Sequence, residues 1–139
     1  MSAFAPSLVT ASAMIILALG LIHVLYTFQG KMLHPRDAGL EARLKEVSPV
    51  ISRETTMWKA WIGFNASHSL GAMLFGVVYA HLALVHFALL RASPFLLAVG
   101  AALLISYAWL ARRYWFSVPF RGIVLALLLY LAGAAVSLT

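Results

Sequence analysis

The sequence predicts an all-α protein that crosses a membrane as a four-helix bundle. Hydrophobic residues make up 63% of its 139 residues, and the 10 Lys and Arg and 4 Asp and Glu lie mostly between four long apolar stretches. A spanning helix needs about 20 apolar residues, so four such helices use up the chain as one domain. The predicted helices cover residues 7–28, 57–90, 94–111 and 119–138.

The first apolar stretch, Ser7–Phe28, is expected to be a retained span. The residues before it lack the basic segment that opens a cleaved leader peptide.

The loop over residues 29–56 carries all four acidic residues. Within it, residues 37–47 predict a short amphipathic helix on the membrane surface, with Asp37 as its N-cap. Glu41 and Lys45 stand four residues apart, a spacing at which they can pair on a helix.

The second stretch predicts one long helix. Ser48 can cap a helix and Pro49 can occupy its first turn, so this helix is expected to begin before residue 57. No proline interrupts residues 57–90. A helix of that length measures roughly 50 Å, more than a hydrocarbon core of about 30 Å. A helix that protrudes at the inner interface is favoured over a bend near Gly71 or Gly76.

The last two helices have clear start signals. Ser93 can cap a helix whose first residue is Pro94, after a tight hairpin. Tyr114–Val118 predicts a turn, and Pro119 is expected to open the fourth helix.

The basic residues predict the orientation of the spans. Nine of the ten lie in or beside the first and third loops, and the tryptophans cluster there too. The positive-inside rule therefore places these loops in the cytoplasm and both termini on the non-cytoplasmic side of a bacterial plasma membrane. The nine are Lys31, Arg36, Arg43, Lys45, Arg53, Lys59, Arg112, Arg113 and Arg121.

Composition also excludes several functions. The net charge of +6 comes from residues that flank spans, which predicts orientation signals and no nucleic-acid partner. The chain has no cysteine, so disulfides and thiolate chemistry are excluded. No acid lies inside a span, which disfavours a cation-coupled transporter.

Polar side chains inside the spans are the candidate site. His23 on the first helix can meet Asn65 and His68 on the antiparallel second helix at a similar depth. One hypothesis is a ligand pocket that opens to the cytoplasm, with Arg112 or Arg113 as anion contacts; the other is that these groups only bond to one another. The predicted ligand-binding residues are His23, Tyr26, Trp61, Asn65, His68 and Ser69.

A row of small residues, Gly63, Ser67 and Gly71, follows one face of the second helix. Such rows are typical of close helix packing. The row also makes a homo-oligomer or another membrane-protein partner an open alternative.

No metal site is predicted, and no cofactor is expected, although haem between His23 and His68 stays an alternative. His81 and His86 stand five residues apart, so on one helix they would face about 140° apart. His34 is interpreted as a solvated loop residue.

Two short motifs resemble known proteins. Gly20–His23, followed in the loop by His34-Pro35, resembles the small four-helix DoxX-like membrane proteins. Gly63–Gly71 is similar to a motif from uncharacterised bacterial four-helix proteins near that class. The resemblance implies an accessory or quinone-binding subunit of an oxidoreductase complex.

Three functional hypotheses follow. The first is a non-enzymatic protein that binds a lipid-like ligand such as a quinone, or an accessory subunit of a membrane complex. The second is an enzyme on a lipid or isoprenoid, with His23 and His68 as acid and base and Asn65 orienting one of them. The third is a small transporter.

Overall fold

A computed structural model describes residues 4–138, which form six α-helices and no strand. The all-α prediction is confirmed. Four of the helices are long and apolar enough to cross a membrane, so the chain is a multi-pass membrane protein. The helices are α1 (Phe4–Phe28), α2 (Ala38–Glu46), α3 (Met57–Val85), α4 (Phe87–Ala92), α5 (Pro94–Tyr114) and α6 (Ser117–Leu138).

The short loop helix forms as the sequence predicts. The Asp37 side chain accepts hydrogen bonds from the backbone N–H groups of Gly39, at 2.8 Å, and Leu40, at 3.3 Å. The start of α5 is also as predicted, because the Ser93 hydroxyl accepts from the N–H of Leu96 and Pro94 occupies the first turn. Both caps satisfy N–H groups that a helix start leaves unpaired.

The prediction that the second long helix begins at Ser48-Pro49 is wrong. Residues 47–56 are not helical, and α3 begins only at Met57. The Met57 N–H instead donates to the carbonyl oxygen of Val47, at 2.8 Å. This bond closes the segment into a loop, and Pro49 lies inside that loop.

The second long helix also ends earlier than predicted, at Val85. His86 interrupts the helix with φ −127° and ψ 40°, and the short α4 follows. The break lets Leu90 become fully buried among α4, α5 and α6, a burial that no local sequence signal announces. The prediction that His81 and His86 face about 140° apart on one helix is also wrong. The break brings their ring centroids to 5.2 Å from each other.

Two boundaries of the last helices differ slightly from the prediction. The helix α5 continues to Tyr114, and α6 begins at Ser117, so the expected five-residue turn shortens to Trp115 and Phe116. Pro119 therefore lies within the first turn of α6, where its missing N–H costs no hydrogen bond.

The described chain divides into two compact units. Residues 4–19 and 72–138 form one, and residues 20–71 form the other.

The first unit contains segments of all four long helices and forms the bundle. Its core is apolar, and Val9, Ile16, Leu104 and Tyr130 are at most 1% exposed. Glycines allow close approach: a Cβ at Gly76 would lie 2.9 Å from the carbonyl oxygen of Ala13 on α1, and one at Gly133 would lie 2.8 Å from a Val9 methyl group. Small residues at such crossings are the usual means of helix packing in membranes.

Two tyrosines secure this bundle to the start of α5. The hydroxyl of Tyr79 on α3 donates to the carbonyl oxygen of Leu96 at 2.7 Å, and the hydroxyl of Tyr130 on α6 donates to that of Leu97 at 3.1 Å. Their rings cross edge to face at 5.6 Å above Gly100. Each buried hydroxyl is therefore satisfied by backbone.

Replacement of Gly100 by alanine is expected to destabilise this bundle. The new Cβ would lie 2.6 Å from Tyr130 Cζ and 2.8 Å from Tyr79 Cε1, so at least one tyrosine must move. We expect a loss of about 1–3 kcal/mol, the usual cost of overpacking a core, measured by unfolding in detergent. Gly63→Ala is the control, because a Cβ there meets nothing within 4 Å. Equal stability of the two variants would contradict the packing described.

Candidate functional site

A hydrogen bond between His23 of α1 and Asn65 of α3 forms the centre of the candidate site, within the second unit. His23 Nε2 and Asn65 Oδ1 are 3.0 Å apart. Asn65 Nδ2 donates to the carbonyl oxygen of Trp61 at 2.8 Å, which turns its oxygen toward His23. The His23 Nε2–H must therefore be the donor, since an amide oxygen only accepts.

His68 completes the cluster. It lies three residues after Asn65, on the same face of α3, and its ring crosses that of His23 edge to face with centroids 5.3 Å apart. Both histidines are half-buried. The structure thus brings together His23, Asn65 and His68, as the sequence predicts, and we call these three residues the histidine cluster.

Two hydroxyls stiffen the helices around the cluster. Thr27 Oγ1 donates to the carbonyl oxygen of His23 at 2.8 Å, and Ser69 Oγ donates to that of Asn65 at 2.9 Å. Ser69 is fully buried, and its hydroxyl bonds to the backbone of its own helix. Ser69 therefore contacts the backbone of a cluster residue. Its role in ligand binding stays a prediction.

The two aromatic residues of the predicted site lie at the surface of this unit. Trp61 is 46% exposed, and its indole N–H donates to the carbonyl oxygen of Leu33 at 3.1 Å. This bond ties the loop after α1 to the first turns of α3. Tyr26 is 43% exposed on α1, and no side-chain hydrogen bond of it is seen in residues 4–138.

His34 lies in the loop after α1 with its side chain 26% exposed, as predicted, but its imidazole also makes two contacts. Its Nδ1 lies 3.0 Å from Oε2 of Glu41, and its ring crosses that of Trp58 edge to face at 4.8 Å. Lys45 pairs with the other oxygen of Glu41, as predicted, and its ammonium lies 5.3 Å from the Trp58 ring centroid. We call His34, Glu41, Lys45 and Trp58 the loop clamp, because they hold α2 against α3.

Sequence reasoning found one half of the loop clamp. The Glu41/Lys45 pair follows the helical period, but His34 lies outside the helix and seven residues from Glu41. Beside the clamp is an apolar cavity of about 280 Å³. It is lined by Leu33, His34, Pro35, Leu44, Trp58 and Trp61.

The row of small residues on α3 does not pack within this unit as expected. A Cβ at Gly63 would meet nothing within 4 Å, and Ser67 is exposed with its hydroxyl donating to the carbonyl oxygen of Phe64 at 3.0 Å. Close packing at glycine occurs instead at Gly76, Gly100 and Gly133 in the other unit. Gly71, the third member of the row, is half-buried in α3.

The predicted anion contacts belong to the other unit. Both Arg112 and Arg113 are exposed in the last turn of α5, and the Arg112 guanidinium lies 5.9 Å from the ring centroid of Phe120. Among the described residues, no group of three or more His, Asp or Glu side chains is arranged to hold a metal ion.

Asn65→Leu should lower the free energy of unfolding, although leucine is more apolar than asparagine. The substitution leaves the His23 N–H without its acceptor and the Trp61 carbonyl without its second donor, in an apolar setting. Interhelical hydrogen bonds in membranes contribute about 0.6–1.7 kcal/mol, and we expect a loss in that range on unfolding in detergent. Ser67→Ala, two residues away and exposed, is the matched control. A stability equal to that of Ser67→Ala would contradict a structural role for this bond.

Acid should release α2 from α3. The hydrogen bond from Lys45, and then that from His34, lowers the pKa of the Glu41 carboxyl below its ordinary value. A carboxyl with a lowered pKa stabilises the folded state above its ordinary pKa, and that contribution disappears as the pH falls through the lowered value. The protection of the amides of residues 38–46, taken as the slowing of their exchange relative to an unstructured chain at the same pH, should therefore fall on acidification.

Two variants test this assignment. In Glu41→Gln the amides of residues 38–46 should already be weakly protected at neutral pH, and their protection should lose the acid dependence, because position 41 then carries no titrating carboxyl. Glu46→Gln, which removes only the exposed pair with Arg43, should retain that dependence. An identical pH response in the two variants would rule out Glu41 as the responsible group.

Comparison with known proteins found no relative. No protein-family model matches the chain, and neither a curated protein nor a solved structure matches it. The resemblance to DoxX-like proteins therefore stays a prediction.

Proposed function

We propose that this protein resides in a bacterial plasma membrane and binds a lipid-like ligand, such as a quinone, through the histidine cluster. It does so alone or as an accessory subunit of a larger membrane complex. The observation that supports the proposal most is the hydrogen bond between His23 and Asn65, inside segments that are otherwise apolar. Polar and ionisable groups at such positions are costly and usually serve a function.

The hydrogen-bonding groups of the cluster suit a ligand with a hydroxyl or carbonyl head group. A neutral His23 that donates through Nε2 keeps an acceptor lone pair on Nδ1. Asn65 uses one hydrogen of its amide for Trp61 and keeps the second. One acceptor and one donor therefore remain: the donor can bind a quinone carbonyl, and a hydroxyl head group such as that of a quinol can use both.

The surroundings of the cluster favour entry from the bilayer. Leu25 and Phe64 are 50% and 75% exposed, and Tyr26 and Trp61 are also exposed beside them. Exposed side chains of this kind face lipid in a membrane protein, so a ligand dissolved in the bilayer reaches the cluster without a water-filled entrance. Its tail can stay in the hydrocarbon while its head group meets His23.

From the distribution of the basic residues we infer that the cluster lies in the inner half of the membrane. With the first and third loops in the cytoplasm, both termini lie outside. His23 is five residues from the end of α1, and Asn65 is eight residues from the start of α3. Both ends join the cytoplasmic loop in this orientation, so the ligand is one of the inner leaflet.

The exposed Gly63 and Ser67 provide a place for a partner helix. Small residues allow another backbone to approach closely, and the space above Gly63 is open. A second copy of the chain or a subunit of a complex fits this face, which agrees with an accessory role.

Native mass spectrometry of the protein released gently from bacterial membranes tests the proposal, followed by addition of a defined ubiquinone. We expect a bound small molecule in the wild type and in His81→Ala, and its loss in His68→Ala. His81 is the matched control because it is an exposed histidine of the same helix outside the cluster. Circular dichroism verifies that each variant keeps its helices.

Two results would sink the proposal. One is equal ligand occupancy in all three proteins, which would make the histidine cluster a structural lock. The other is a wild type that neither carries a small molecule nor takes up the added quinone. In that case a search for co-purifying subunits would test the accessory role by itself.

A further inference from the structure

The break between α3 and α4 has no local cause in the sequence. Sharp interruptions of long helices usually occur at proline or glycine, yet the break falls at His86, between Val85 and Phe87. The His86 side chain makes no capping hydrogen bond to α4. What the break does achieve is to bring the imidazole of His86 beside that of His81, one turn earlier on α3.

The two rings have a separation that suits a shared metal ion. Their centroids are 5.2 Å apart and their planes are inclined at 67°. A histidine nitrogen lies about 2.0–2.1 Å from zinc, so two imidazoles on one tetrahedral ion have centroids about 5 Å apart. On an unbroken helix, residues five apart face about 140° from each other, and no such approach is possible.

Both imidazoles are available for ligation. His81 lies within the last five residues of α3 and His86 at the break that follows, so both exposed rings stand at the end of the span, where water can reach them. Neither ring takes part in a hydrogen bond in the described part of the chain. Neutral imidazole has a lone pair on one nitrogen, which makes histidine the commonest metal ligand in proteins.

We propose that His81 and His86 form a binding site for a borderline divalent transition metal ion, Zn²⁺ or Cu²⁺. Imidazole nitrogen suits both ions, and divalent copper binds most tightly of the first-row series. Since residues 4–138 hold no cluster of three potential ligands, the protein supplies two and leaves the other positions open. Such an open site exchanges water for a small external ligand.

This site is independent of the proposed lipid-like ligand. His81 and His86 belong to the unit formed by residues 4–19 and 72–138, whereas the histidine cluster belongs to residues 20–71. Failure of either proposal therefore leaves the other intact.

Copper titration of purified, untagged protein tests the site, with Cu²⁺ itself as the probe and electron paramagnetic resonance as the readout. We expect one tightly bound ion per chain, with hyperfine coupling to two nitrogens. His81→Ala and His86→Ala should each weaken binding by about tenfold or more, because each leaves one imidazole.

Three controls separate this site from the other histidines. His68→Ala and His34→Ala should bind Cu²⁺ as the wild type does, because they alter only the histidine cluster and the loop clamp. His86→Gln keeps a polar side chain of similar size but should lose the two-nitrogen signal. Binding unchanged in His81→Ala and His86→Ala, or loss of the signal in His68→Ala alone, would overturn the assignment.

Discussion

In hydrocarbon no water is present to satisfy a polar group, and the protein must supply every partner itself. This constraint shapes both units. The hydroxyls of Tyr79 and Tyr130 bind helix carbonyls at the start of α5, and His23 finds its acceptor in Asn65. Thr10 and Ser12 of α1 depart from it, since their buried hydroxyl oxygens have no partner among the described residues. Hydrogen bonds between polar groups thus help to determine which helices pack together.

The segment between α1 and α3 is held by a different balance of forces. The loop clamp combines one carboxylate, two basic groups and an aromatic ring at the edge of the apolar region, where water is available. Each contact there is weak alone, because exposed ion pairs contribute little. The Trp61 bond to Leu33 and the Met57 bond to Val47 fix the two ends of the same segment. The order of the loop therefore comes from several coupled contacts.

The sequence predicts features that depend on local or periodic patterns. The four apolar spans, the Asp37 and Ser93 caps and the shared face of Asn65 and His68 are of this kind. The break at His86 could not be predicted, because its benefit is the burial of Leu90 against distant helices. The bond between His34 and Glu41 could not be predicted either. It joins a loop residue to a helix residue, and no periodic spacing in the sequence relates the two.

Two histidine pairs with nearly equal ring separations, 5.3 and 5.2 Å, occupy different chemical settings. In the first pair, Asn65 accepts a hydrogen bond from Nε2 of His23, so this nitrogen carries a proton and has no lone pair for a metal ion. In the second, no bond to either ring is seen in residues 4–138, and both side chains are exposed. A metal ion needs free lone pairs from both rings, whereas a head group needs one oriented donor or acceptor. The hydrogen bonds that each ring makes, more than the distance between the rings, therefore decide which ligand chemistry each pair supports.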